Sequence, residues 1–241
     1  MGKIKILIYI FALFTVFHLK ANKRSNIAEE VSIKETSSTF FVKQDSLFNS
    51  KYKKILDFYR KKEFIDALKG ALNLYDEIEE YGNSEYSYKT TSLIADIYDK
   101  TNKYSNSLKY YKNSIKVLNG RVSLENKTFS FDSEFAKTLL RIGSAFQKLQ
   151  NIDSAKFYYK KIEELTSLNN ETLGFKAASY NNLSGIYEKD SLFNEAKNYS
   201  NKAIEAHEKR NDKAGQATAL NNLGNIYLSL GNFEKAKDIY I

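Results

Sequence analysis

From about residue 47 onward, apolar positions recur three and four apart, the spacing that lines up one face of a helix. Leu183, Ile186 and Tyr187 share such a face, as do Leu223, Ile226 and Tyr227. The helical stretches come in pairs split by short polar breaks at Thr101-Asn102, Gln150-Asn151, Asp190-Ser191 and Gly231-Asn232. Residues of these types stop one helix and cap the next. The pattern therefore predicts helical hairpins.

The hairpins repeat. Residues 180–187 read Tyr-Asn-Asn-Leu-Ser-Gly-Ile-Tyr, and residues 220–227 read Leu-Asn-Asn-Leu-Gly-Asn-Ile-Tyr. The same frame places aromatic anchors at Phe58, Tyr98, Phe146, Tyr187 and Tyr227, separated by 40, 48, 41 and 40 residues. Nine residues after each anchor stands a small residue: Ala67, Ser107, Ala155, Ala196 or Ala236. Three before that small residue comes Phe64, Tyr104, Ile152, Phe193 or Phe233. Three before four of the anchors lies another small residue, Ala95, Gly143, Ser184 or Gly224. Side chains this short let two helix backbones approach closely while a large ring fills the space alongside. The 48-residue spacing calls for an insertion, and residues 119–133 fit it. Its Phe129 and Phe131 either reach a ligand or cover the edge of neighbouring helices.

This arrangement resembles the tetratricopeptide repeat: a Leu-Gly pair, a Tyr, a small residue nine later, and an aromatic four beyond that at Tyr111, Tyr159 and Tyr240. The first unit departs from it, with Lys54 and Ile55 where Leu and Gly are expected and Ala71 in place of the aromatic. Ser200 departs too, with Tyr199 one place early. The resemblance implies an all-α, right-handed superhelical solenoid of antiparallel helix pairs over residues 47–241. Its units run at about 47–86, 87–134, 135–175, 176–215 and an incomplete 216–241. A period near 40, against the usual 34, lengthens each hairpin by about one and a half helical turns in total. The longer class is similar to the repeats of light-chain-type and sensory-module scaffolds.

The resemblance further implies that first helices line a concave groove and that Asn there holds peptide main chain. The groove candidates are Asn181, Asn182, Asn221, Asn222 and Asn225, with Lys137, Arg141 and Lys148 from the third unit. An amide side chain offers both donor and acceptor to a peptide backbone. The plainer reading is that Asn is common in this chain and that the basic residues are solvated faces.

Composition narrows the function classes. Pro is absent, as suits long helices, where it costs roughly 3 kcal/mol. Cys is absent as well, which excludes disulfides, Cys-based zinc sites and cysteine nucleophiles. The formal charge of +8 drops to +5 without Lys3, Lys5 and Lys20, and both signs are mixed through every repeat. That argues against a nucleic-acid partner, which needs a one-sided basic patch. No phosphate-binding Gly loop, His-Glu-x-x-His helix or Gly-x-Ser-x-Gly turn is present. His207, the one His beyond the leader, reads as a surface residue. The chain is thus expected to be a non-enzyme without cofactor or metal.

At the N-terminus, Lys3 and Lys5 precede the apolar stretch Ile6–Phe17 and a small residue at Ala21. That is the pattern of a secretory signal peptide over residues 1–21. A retained anchor is the alternative, because Leu19 is large for its place before a cut. Residues 22–46 read as a polar flexible leader, with Phe40, Phe41 and Val42 the exception. The expected location is exported, in the periplasm or cell envelope. The last helix stops at Ile241 on apolar residues, where a solenoid normally carries a polar cap. The expectation is a fragment of a longer protein, or an end that docks on something. The leading function is an exported scaffold that binds a peptide or protein in its groove. The alternative is the sensory module of a membrane signalling protein, a histidine kinase or transcriptional regulator, whose C-terminal part is missing.

Overall fold

The computed structural model describes residues 46–81, 84–122, 129–166 and 169–241. The proposed signal segment (1–21) and all but the last residue of the leader (22–46) lie outside the described residues. Among the described residues there are ten helices and no strand. They are α1 (residues 46–60), α2 (Phe64–Tyr81), α3 (Ser84–Lys100), α4 (Tyr104–Val122) and α5 (Phe129–Lys148). They continue as α6 (Ile152–Glu163), α7 (Asn170–Lys189), α8 (Phe193–Lys209), α9 (Lys213–Ser229) and α10 (Phe233–Tyr240). The chain divides into two compact units, Met1–Lys53 and Lys54–Ile241. In the first, residues 46–53 are helical. Everything below concerns the second.

Within Lys54–Ile241, α3/α4, α5/α6, α7/α8 and α9/α10 pack as hairpins, and each second helix also touches the next first helix. First helices α5, α7 and α9 touch in sequence as well. The result is an all-α, right-handed superhelical solenoid of antiparallel helix pairs. The first helices begin at Ser84, Phe129, Asn170 and Lys213, ahead of the unit starts at 87, 135, 176 and 216. Spacing between anchors locates the packed face and not the helix start. The proposed insertion at 119–133 is also taken up differently. Helix α4 runs on through Val122 and α5 starts at Phe129, leaving 123–128 outside the described residues.

One turn geometry recurs at six of the helix junctions. Lys62, Asn102, Gln150, Ser191, Asn211 and Gly231 all adopt left-handed backbone with φ between 55° and 72°. At each, two backbone bonds close a Schellman motif. At 150, Gln150 N–H donates to Gln147 C=O (3.0 Å) and Asn151 N–H to Phe146 C=O (2.9 Å). The second acceptor is the anchor's own carbonyl in five of the six: Phe58, Tyr98, Phe146, Tyr187 and Tyr227. The anchor frame read from the sequence is therefore also the turn frame. Asn151 and Asn232 then cap α6 and α10, accepting from Ser154 N–H and Lys235 N–H. The Asp190-Ser191 break differs: it stops α7, but α8 starts on Leu192 with no side-chain cap.

Two pairings repeat across each hairpin. In the first, the small residue three before the anchor meets the residue thirteen after it. A Cβ on Gly143 would lie 2.5 Å from the Tyr159 ring, and one on Gly224 would lie 2.5 Å from Tyr240. Ala95 and Tyr111 share one core cluster at the corresponding places. Where Ser200 replaces the ring, Ser184 Oγ donates to Ala196 C=O (2.9 Å) and meets Ser200 Oγ at 2.7 Å. Loss of the ring is thus matched by a hydrogen-bonded pair of small residues.

In the second pairing, the anchor stacks on the residue twelve after it. Tyr98–Tyr110, Phe146–Tyr158 and Tyr187–Tyr199 have ring centroids 5.6, 5.5 and 5.5 Å apart and nearly parallel planes. Tyr199 is therefore not displaced by one place. It holds the same stacking position as Tyr110 and Tyr158, and only its neighbour at 200 has changed.

These contacts give one substitution opposite signs at two helical glycines. Replacing Gly by Ala in a helix interior ordinarily stabilises by about 1 kcal/mol. A Cβ at Gly185 meets nothing within 4 Å, so Gly185→Ala is expected to raise the denaturation midpoint. Gly143→Ala forces the buried Tyr159 ring aside, which costs about 1–3 kcal/mol and outweighs the propensity gain. Its midpoint is expected to fall. Urea titrations of the two variants followed by circular dichroism check the pair.

Candidate functional site

The first helices α3, α5, α7 and α9 form one face of the stack, and side chains bridge them step by step. Between α3 and α5 two bridges are charged, beside the neutral contacts of Tyr88 Oη with Glu134 C=O (3.3 Å) and Thr138 Oγ1 (3.4 Å). Arg141 pairs with Asp96, and Lys148 Nζ reaches Asp99 at 2.9 Å. Arg141 also donates to Tyr111 Oη (3.2 Å) and lies over that ring, while Lys148 lies over Tyr104. Burial pulls the Arg141 guanidinium below its ordinary range and pushes the Tyr111 phenol well above its own. Between α7 and α9 the bridges carry no pair of opposite charges. Asn222 Nδ2 donates to Asn181 Oδ1 (3.2 Å), and Ser229 Oγ donates to Glu188 (3.2 Å).

The eight residues singled out in the sequence therefore fall into two groups. Arg141, Lys148, Asn181 and Asn225 hold the stack together. Asn225 accepts from Tyr240 Oη at 2.6 Å, a bond across the α9/α10 hairpin. Asn181 uses both ends of its amide, on Asn222 and on His207 Nε2 (3.4 Å). Asn182, Asn221 and Lys137 have no partner among the described residues, and Asn222 uses one N–H and keeps the rest of its amide unengaged. Gly185 lies one turn along α7 from Asn181 and Asn182 with open space above it. The α7–α9 portion of the face thus carries spare amides, with room for a side chain at Gly185.

His207 is not a surface residue: it is 7% exposed. It sits near the end of α8, with Nδ1 3.0 Å from Asp212 Oδ2. Asp212 caps α9 by accepting from Gly215 N–H (2.9 Å) and takes Arg210 Nη1 at 3.0 Å. A Cβ at 215 would fall 2.0 Å from the His207 ring, so any larger residue there must displace the buried ring. The Gly215 bond first, then His207 and Arg210, hold the Asp212 carboxyl below the usual range. The His-x4-Asp spacing and the Gly three residues on were legible in the sequence, but a single His gave no reason to look for partners.

Four lysines elsewhere serve the joints between units. Lys112 lies over Phe146, Lys156 and Lys160 over Tyr187, and Lys197 over Tyr227. Each belongs to a second helix and covers the next unit's anchor ring, a contact worth about 0.5–1 kcal/mol at exposed sites. A small cavity of about 170 Å³ lies between α7 and α8, lined by Leu173, Lys176 and Tyr180 on one side and Lys202 and Lys209 on the other. Two of its lysines are already engaged. Lys202 pairs with Glu163 (2.6 Å), and Lys176 donates to the Leu165 carbonyl just past the end of α6 (2.5 Å). No group of His, Asp or Glu among the described residues is arranged to hold a metal ion, and no helix among them is long and apolar enough to cross a membrane.

No curated protein matches the chain. Solved structures do. The chain is similar to BtubC (BKLC) from P. vanneervenii, with a TM-score of 0.63 and 18% identity over 89% of this chain and 84% of that one. It is similar to the apo form of the quorum sensor NprR from B. thuringiensis, with a TM-score of 0.65 and 16% identity over 96% of this chain. It is also similar to the apo form of RapI, with a TM-score of 0.69 and 16% identity over 89% of this chain. The chain spans 62% of NprR and 58% of RapI. At these identities the likeness is one of fold. Family models described as tetratricopeptide repeat match residues 175–240, and residues 92–117 and 136–167. These matches lie on the hairpins in which a small residue faces a position thirteen beyond the anchor, and together with the solenoid they place the chain in the tetratricopeptide-repeat family.

Proposed function

We propose that this chain is an exported, non-catalytic scaffold that binds an extended peptide or protein segment along its first-helix face, at α7 and α9. The observation that carries this reading is that Asn182, Asn221 and Asn222, on the paired first helices α7 and α9, keep unspent amide donors and acceptors. A peptide bond presents one donor and one acceptor, which such an amide matches. The charged part of the face at α3 and α5 is largely consumed by its own ion pairs. It therefore contributes less than its composition suggests.

Panning a random dodecapeptide phage library on the purified chain tests the groove. Enriched peptides are expected to bind the N182A/N221A/N222A variant at least tenfold more weakly, since each lost hydrogen bond contributes about 1 kcal/mol. Unchanged binding, or no enrichment at all, sinks the reading. Export rests on the basic, apolar and small-residue pattern of residues 1–21. N-terminal sequencing of the protein recovered from the cell envelope is expected to begin at Asn22. Recovery from the cytoplasm with Met1 intact would remove export.

A further inference from the structure

The network from Asn222 to Asp212 is directional. Asp212 is an ionised acceptor, held so by the Gly215 N–H, so the ring nitrogen facing it, Nδ1 at 3.0 Å, must carry a proton. In the neutral ring Nε2 is then the acceptor. Asn181 faces Nε2 at 3.4 Å and must turn its NH₂ toward it. Its Oδ1 is thereby directed at α9, where it accepts from Asn222 Nδ2 at 3.2 Å. Each link fixes the next. A neutral His207 leaves Asn222 with its carbonyl and one N–H free.

Protonation reverses the chain. A charged ring donates from Nε2 as well, and two donors cannot face each other. Asn181 must rotate its amide to offer Oδ1 to the ring, which turns its NH₂ toward Asn222. Asn222 must then accept with its own Oδ1, and both of its N–H groups become free. The charged groups facing the ring are Asp212 at the start of α9 and, across that carboxylate, Arg210 at the end of α8. From α7 the ring meets the neutral amide of Asn181.

We propose that His207 is a positioning residue for the binding face: through Asn181, its protonation state sets which way Asn222 turns its amide. With the ring neutral, Asn222 matches the paired donor and acceptor of a peptide bond. With the ring charged, it presents two donors and favours carbonyl or carboxylate oxygens of a bound chain. The consequence for binding rests on the groove reading above. The rotation itself does not.

Nuclear magnetic resonance on the ¹⁵N-labelled full chain tests it without any peptide. The ring nitrogens are followed through pH by long-range ¹H–¹⁵N spectra, with His18 told apart by its persistence in H207Q. The neutral ring is expected to carry its proton on Nδ1. The side-chain NH₂ signals of Asn181 and Asn222 are expected to move with the same midpoint as the ring. In N181A, His207 should still titrate while Asn222 no longer follows. Asn222 signals that stay still while the ring titrates overturn the proposal, as does a neutral ring protonated on Nε2 or a ring that does not titrate in the folded state. A relay seen in a chain that captures no peptide leaves this inference standing and removes the groove reading alone.

Discussion

Replacing Tyr159 with Ala is expected to lower the free energy of unfolding by about 3–5 kcal/mol, the range for removing a large aromatic from a packed core. Tyr159 has no exposed surface and lies against Gly143 on the facing helix, so its loss leaves a void between two backbones that cannot collapse far. Tyr159→Phe isolates the ring from the hydroxyl. It removes the hydroxyl's bonds to Gln147 Oε1 (2.9 Å) and to the Ser144 side chain and is expected to cost about 1–2 kcal/mol. Equilibrium urea unfolding of both variants gives the two values, and hydrogen exchange should place the early opening in α5 and α6. In a stack where each unit contacts its neighbours only, damage to a central hairpin also weakens the interfaces on either side. A loss below about 1 kcal/mol for Tyr159→Ala would mean that the ring does not hold the hairpin closed.

The hairpin frame was legible because it is written in residue size and spacing. Anchor, small residue and second aromatic recur at fixed distances, and hydrophobic periodicity supplies the helices. The stacked rings were legible too, in the pairs Tyr110-Tyr111 and Tyr158-Tyr159. With one aromatic expected per second helix, Tyr199 reads as shifted, whereas it is the surviving half of such a pair. Helix starts were harder: Phe129 and Phe131 at the head of α5, and Leu173 and Phe175 near the head of α7, stand two apart, which is not helical spacing. The site was legible only as residue types on one face. Whether an Asn or Arg on that face is free depends on what the preceding unit offers it. Asp96 and Tyr111 meet Arg141 from 45 and 30 residues away, and His207 meets Asn181 from 26 away. No local pattern reports such pairings.

Asp96→Ala is expected to destabilise the chain by about 2–3 kcal/mol, because one carboxylate serves two partners from two different units. It accepts from Tyr111 Oη at 2.6 Å across its own hairpin and pairs with Arg141 of the next. Removing it leaves a half-buried guanidinium with only the Tyr111 hydroxyl and ring. Breaking an ion pair by deleting one member strands the other, at a cost of up to about 3–5 kcal/mol when fully buried and less here. A double-mutant cycle with Arg141→Ala separates this from any role of Arg141 in binding. If the pair is structural, D96A and R141A should be strongly non-additive in urea unfolding, with the double variant hardly less stable than D96A alone. Lys137→Ala, on the same helix and with no partner among the described residues, should leave stability unchanged within about 0.5 kcal/mol. Any effect of Lys137 on peptide capture would then report contact with the ligand directly, whereas an effect of Arg141 would have to be corrected for the joint it closes. Additive losses at Asp96 and Arg141 would return Arg141 to the pool of free groove residues and extend the binding face from α7 and α9 back to α5.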